Sequence, residues 1–235
     1  MKLLTTSNAK IRKSRARQWL TFGLHLSPHK LSGVNFCAWA SPGCVAACLN
    51  TAGHGAYNAT QNARVKRSHK FIQNPKQFMQ TLMQDVSAGI AQATRAGFGC
   101  AFRLNLTSDI PWETFKIPEY DLNIMELFPA AQFYDYTKSV ARMRKYLRGK
   151  LPPNYHLTFS RSKINQKECK EVLDMGGSVA VVFAKRLPDR WCDRPVIDGD
   201  HDDLRFFDPY NSVVGLVAKG KGRADTTGFV ITDHL

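Results

Sequence analysis

The sequence predicts an α/β protein built on parallel strands, and three observations carry that prediction. Short apolar runs of strand length alternate with longer stretches of helical spacing. Each strand-like run is followed at once by polar residues. No repeat and no low-complexity segment interrupts the alternation. Parallel neighbours need a crossover connection, and helices between strands supply it. The 235 residues suit one domain. The organisation read from this is a basic lead-in over residues 1–32 and a single (β/α) barrel-like domain over 33–235.

The elements follow in order. Residues 1–30 are basic and partly helical around Ala9–Leu20. Gly33–Ala40 reads as a strand entering a cysteine-bearing loop. Pro75–Ala96 is a helix: Pro75 suits a first turn, and Phe78, Leu82, Val86 and Ile90 form one apolar stripe. Gly97 and Gly99 end it. Cys100–Leu106 is the next strand, Pro111–Phe128 a broken helix, and Gln132–Tyr136 a strand leading to a basic helix over Ser139–Arg148. Tyr155–Phe159 is a strand, Asn165–Asp174 a helix, and Ser178–Phe183 the clearest buried strand. Val213–Ala218 is the last strong one. About six strands favour an incomplete (β/α) barrel over a full eight-unit one. A doubly wound sheet is the alternative, though no Gly-x-Gly-x-x-Gly turn follows the first strand.

Polar residues at the carboxyl ends of parallel strands face one shared crevice. Here they are Cys37, then Asn105, Ser108 and Asp109, then Asp135 and Lys138, then Ser160 and Arg161, and finally Lys185. Asn105 and Asp109 suit a ligand's amino, carboxylate or ribose groups, or else satisfy nearby backbone donors. Asp135 and Lys138 read equally as a site pair or a salt bridge.

Charge is unevenly spread. Lys and Arg number 33 against 19 Asp and Glu, a formal net charge of +14. Twelve cations, from Lys2 to Lys76, precede the first acidic residue, Asp85. Such a block attracts polyanions, so nucleic acid is the partner it predicts, with a solvated basic arm as the plain alternative. The amino terminus lacks the apolar run of a signal peptide, and no stretch is long enough to span a bilayer. A cytoplasmic location with no membrane partner follows. In that reducing setting the six cysteines read as thiols or metal ligands, not as a disulfide frame.

Cys37, Cys44 and Cys48 share one loop, with Ser41-Pro42-Gly43 as the turn that folds it. If Cys44 opens a helix, Cys48 falls on the same face. Soft thiolates suit a [4Fe–4S] cluster, which with three ligands leaves one iron open, or zinc, for which His54 is the nearest fourth ligand. Three unliganded buried thiols are the third reading. Cys100, Cys169 and Cys192 stand alone and read as core thiols. The run Asp198–Asp203 reads as a solvated turn, with Asp198 and Asp200 pointing inward, or as a Mg²⁺-binding acidic cluster of a nuclease. Gly215–Gly222 lacks phosphate-loop spacing.

Five segments together carry a resemblance: Ser41-Pro-Gly-Cys-x-x-x-Cys-Leu49, Arg103-Leu-Asn-Leu-Thr-Ser-Asp109, Phe133-Tyr-Asp-Tyr-Thr-Lys138, Leu157-Thr-Phe-Ser160 and Val196-Ile-Asp-Gly-Asp200. They resemble the bacteriophage gene-product-88 family, itself similar to phage members of the radical S-adenosylmethionine superfamily. The resemblance runs from about Gly33 to Phe229. It implies a partial, radical-SAM-like barrel in the host cytoplasm and a [4Fe–4S] cluster on Cys37, Cys44 and Cys48. It also implies S-adenosylmethionine at the open iron and an electron donor as partner. Asn105, Ser108, Asp109, Asp135, Lys138 and Ser160 are then the candidate cofactor-binding residues. The spacing Cys-x6-Cys-x3-Cys departs from that superfamily's usual Cys-x3-Cys-x2-Cys. The expected function is an enzyme acting on a nucleic-acid or nucleotide substrate; the alternative is a non-catalytic, zinc-containing or metal-free DNA-binding protein of phage replication or host takeover.

Overall fold

A computed structural model describes residues 1–232 of the chain. The first half holds β1 (Leu4–Thr5), α1 (Ala9–Arg12), β2 (Trp19–Leu24), α2 (Pro42–Ala46), α3 (Asn58–Gln73), α4 (Pro75–Arg95), β3 (Gly99–Arg103), β4 (Lys116–Ile117), β5 (Leu122–Asn123) and α5 (Ile124–Leu127). There follow β6 (Gln132–Thr137), α6 (Val140–Leu147), β7 (Tyr155–Ser160), α7 (Gln166–Asp174), β8 (Val179–Phe183), β9 (Arg190–Trp191), β10 (Arg194–Asp198) and β11 (Val213–Val217).

Nine strands form one sheet in the order β1-β2-β3-β6-β7-β8-β11-β10-β9. Every pair from β2 to β10 is parallel, and only the short edge strands β1 and β9 run antiparallel. From β2 to β8 the strands of this sheet lie side by side in chain order, so each connection returns over the same face. Phe78, Leu82 and Val86 of α4, Met143 of α6 and Val172 of α7 accordingly share one core with Phe22, Phe102, Phe133, Leu157 and Val181. On the opposite face Ala101 and Tyr134 pack against Leu204 and Phe206, and the short α1 lies against β2, with Ile11 beside Gly23. The end strands β1 and β9 do not pair with each other, so the sheet is open and no barrel closes.

The helix α4 begins and ends as its sequence dictates. Asn74 accepts from the Gln77 amide, Pro75 occupies the first turn, and Gly97 takes a positive φ of 68° just past the end. Elsewhere the structure corrects the sequence reading. The helix expected over Ala9–Leu20 stops after one turn and a 3₁₀ stretch, at Gln18, whose φ of 57° is left-handed. Trp19–Leu24 then enters the centre of the sheet, paired in parallel with β3. Leu3, Leu4, Ile11, Leu20, Phe22 and Leu24 are buried, so the basic lead-in supplies two strands of the domain and part of its core.

Gly33–Ala40 is not a strand. It is a chain of tight turns, with Gly33 donating to Lys30 and Ala40 to Cys37, and a φ of 86° at Gly33. Residues 111–128 hold a 3₁₀ turn, the β4–β5 hairpin and the short α5, started by a capping box between Asn123 and Glu126. The helix α3 escaped the periodicity argument because its buried face is made partly of Arg64 and Ser68, with Phe71 its one buried aromatic.

Candidate functional site

The carboxyl ends of the parallel strands gather the thiol loop. Ser41 caps α2 by accepting from the Cys44 amide at 3.2 Å, and Pro42 sets its first turn. Cys48 lies just beyond α2, which ends at Ala46, so the two thiols do not share a helix face. Asn35 accepts from the Cys37 amide at 3.0 Å, and the Cys37 Sγ reaches the Thr107 carbonyl at 3.8 Å. The loop is thus tied to the segment that follows β3.

The three thiols are half-buried. Burial pushes Cys37 up to about 12, and Cys48, Asp109 and Cys44 each add to the rise. Burial also raises Cys48, again with a contribution from Cys44, against the opposing charge of Arg64. Cys37 and Cys48 are therefore held protonated at neutral pH, and a metal that bound them would displace those protons. Three soft sulfur donors suit an iron–sulfur or zinc centre in kind. Among the described residues, however, no three side chains of His, Cys, Asp or Glu are already gathered in an arrangement that holds a metal.

Beside the loop stands Lys138, just past β6. Its ammonium donates to the Ser160 hydroxyl at 2.7 Å and to the Arg161 carbonyl at 3.2 Å, and lies 5.2 Å from the centre of the Phe229 ring. Burial lowers its pKa, opposed chiefly by the charges of Cys44 and Asp109. Arg161 holds the carboxy-terminal segment by donating to the Gly228 and Phe229 carbonyls at 2.6 and 2.9 Å. That segment packs on α2 so closely that a Cβ at Gly43 would run into Thr227 and Phe229.

Beneath this surface lies a buried polar chain. Asn105 is fully engaged: its amide donates to the Ile110 carbonyl and to Asp135, and its oxygen accepts from Ser108, Ile110 and Trp112. Asp135 also accepts from the Asn105 backbone amide and the Tyr155 hydroxyl. Arg142 donates to Tyr155, Glu113 and Asp109, and Asp109 in turn accepts from the Lys138 amide at 2.8 Å. Burial pushes Asp135 up to about 7 and raises Asp109 as well.

The structure therefore brings Cys37, Cys44, Cys48, Asp109, Lys138 and Ser160 to one end of the sheet. Asn105, Ser108 and Asp135 belong to the network below. Asp135 and Lys138 do not meet, because three residues along a strand place them on opposite faces. Arg142, Tyr155 and Phe229 were not foreseen; no local spacing links them to the cysteines. All six cysteines are free, and Cys169 is buried as expected, whereas Cys192 is exposed.

The acidic run is also rearranged. Asp200, expected to point inward, pairs with the half-exposed Lys219 at 2.6 Å. The buried members are Asp202 and Asp203 instead. Asp203 accepts from both Arg103 and the Tyr134 hydroxyl and lies 3.3 Å from Lys10. This run is not a solvated turn throughout, and among the described residues it forms no group of three acidic, His or Cys side chains arranged to hold a metal. In the basic block, Arg12, Lys13, Arg15, Lys30 and Lys66 are exposed, while Arg64 is buried on Asn50.

These features define an open, mostly parallel α/β protein with a thiol-bearing loop at its strand ends. The family model described as Gene product 88 matches residues 2–233, and the chain belongs to that family. No curated protein and no solved structure matches it. No helix among the described residues is long and apolar enough to cross a membrane.

Proposed function

We propose that the chain is an iron–sulfur protein of the radical-SAM-like kind, an enzyme acting on a nucleic-acid or nucleotide substrate. The observation that carries this reading is that three half-buried, unpaired cysteines, Cys37, Cys44 and Cys48, lie in one loop at the carboxyl end of parallel strands, tied by the Cys37 Sγ to the Thr107 carbonyl. In this reading the three cysteines hold a [4Fe–4S] cluster, S-adenosylmethionine takes its open iron, and the pair supplies reductive cleavage chemistry when bound. The chain's own part is placement. Lys138 and Arg161 stand as cations beside the loop, the carboxy-terminal segment covers α2, and the exposed cations ahead of Asp85 attract a polyanionic substrate.

A second reading is favoured by one specific observation: no metal-holding group is preassembled among the described residues. It favours the metal-free form of a non-catalytic DNA-binding protein; the zinc-containing form needs its ligands gathered just as an iron–sulfur centre does. Anaerobic reconstitution with iron and sulfide separates the two. The first reading expects broad visible absorption that disappears in Cys44→Ala; a colourless protein with about one zinc, or none, supports the second and removes the first.

A further inference from the structure

The face of the sheet opposite α4, α6 and α7 carries a cluster of buried polar groups that the cysteine chemistry does not use. Tyr136 and Thr158 are register partners on β6 and β7, and therefore project from the same face. His156 lies two residues before Thr158 on that face. Arg205, in the 3₁₀ turn Arg205–Phe207, packs over β7; burial and the Arg205 charge lower His156, and Tyr136 is among the groups near enough to favour the Arg205 charge. The Tyr136 hydroxyl, the Thr158 hydroxyl, the His156 Nε2 and the Arg205 Nε are all buried without a hydrogen-bond partner. Thr158 is 0% exposed and Arg205 2%. Burying one such group unpaired costs roughly 1–3 kcal/mol, and four neighbouring ones call for a shared partner.

The chemistry of that partner follows from the donors. An arginine N–H only donates, and both hydroxyls can donate. The setting is also cationic: the Arg103 guanidinium lies 4.5 Å and the Lys10 ammonium 5.4 Å from the centre of the Tyr136 ring. Of the nearby acids Asp203 and Asp202 are already engaged, whereas the Asp208 Oδ2 is itself buried without a hydrogen-bond partner. Asp203 is held by Arg103, Lys10 and Tyr134; Asp202 by Arg17 and Arg205; and Asp208 lies 3.1 Å from Arg205.

We propose that Tyr136, Thr158 and Arg205, with His156 beside them, form a site for a small oxyanion, the phosphate or carboxylate group of a ligand. Its position gives it a use. Lys138 and Ser160 lie two residues further along the same two strands, about 7 Å toward the thiol loop. An anionic group anchored at Tyr136 and Thr158 directs the rest of its ligand toward the cysteines; this last step alone rests on the function proposed above.

The test is thermal unfolding of the full, metal-free chain in inorganic phosphate and, separately, in acetate, with sodium chloride holding ionic strength constant. At tenfold the dissociation constant, a bound oxyanion raises the midpoint by about 3 °C, and the rise continues with the logarithm of its concentration. Response to phosphate alone assigns a phosphate group, and response to acetate a carboxylate. Tyr136→Phe and Thr158→Val each weaken binding at least about tenfold, the scale of one lost charge-assisted hydrogen bond, while Cys44→Ala leaves it unchanged. Retained binding in Cys44→Ala keeps this result separate from the fate of the iron–sulfur reading. Shifts no larger than those in chloride, for both anions, overturn the proposal, as does unaltered binding in both Tyr136→Phe and Thr158→Val.

Discussion

Lys138 donates to the Ser160 hydroxyl at 2.7 Å and so ties the carboxyl end of β6 to that of β7 directly beside the thiol loop. The ammonium is buried, and its neighbours Cys44 and Asp109 favour its charge. Lys138→Met removes both the tie and the cation. We expect a loss of about 1–3 kcal/mol in urea unfolding. An unchanged urea midpoint would show that this tie does not hold the two strand ends together.

The second prediction concerns Asp203. Its carboxylate neutralises Arg103 and Lys10 inside the protein, and Asp203→Asn leaves buried positive charge behind. Breaking such a pair costs about 3–5 kcal/mol, whereas Asp198→Asn, at an exposed turn, should stay within about 0.5 kcal/mol. Denaturant midpoints of the two variants check this ordering. Equal effects would mean that the acidic run acts as one solvated turn.

The third prediction is a pH dependence. Burial, with the charges of Arg64, Arg67 and Arg103, lowers His25 to about 3. A histidine with a depressed folded pKa stays neutral in the native state while the unfolded chain takes up a proton. Its contribution to stability is full above about 6.5, the unfolded value, and is lost as pH falls toward 3. The slope approaches about 1.4 kcal/mol per pH unit. Asp135, pushed up to about 7, acts with the opposite sign: the native state keeps a proton that the unfolded chain releases, so stability falls as pH rises from about 4 to 7. Comparing urea unfolding of the wild type and His25→Gln across pH 4–7 isolates the histidine. The variant should lose less stability on acidification; an identical pH profile would contradict the burial of His25.

The fourth prediction tests the cover over the cysteines. A methyl group at Gly43 runs into Thr227 and Phe229. Gly43→Ala should displace the carboxy-terminal segment, with faster hydrogen exchange at Phe229 and Val230 and little change in the core amides of β7. Unaltered exchange at Phe229 would show that this packing is not what holds the segment.

Much of this arrangement was legible in the sequence. The parallel sheet, the helix α4 and the central strands β3, β6, β7 and β8 follow from alternation and apolar spacing, which report directly on burial. The amino-terminal strand β2 was hidden by the charges around it, because Lys10 and Arg17 dominate a reading that cannot see Asp203 and Asp202 as their partners. The helix α3 was hidden for a related reason: Arg64 is buried by its bonds to Asn50, a long-range fact with no local signature. At the site, Lys138 and Ser160 were accessible from their positions after strands. Asn105 was not separable from them, since only the structure shows that Asp135, Ser108 and Trp112 already occupy its amide group.

Iron and acid-labile sulfide, counted per chain in protein purified without oxygen, test the central claim most directly. The account predicts about four of each, falling to near zero in Cys37→Ala, Cys44→Ala and Cys48→Ala, with every variant still folded. A wild-type protein free of iron, or iron retained in all three variants, would contradict it.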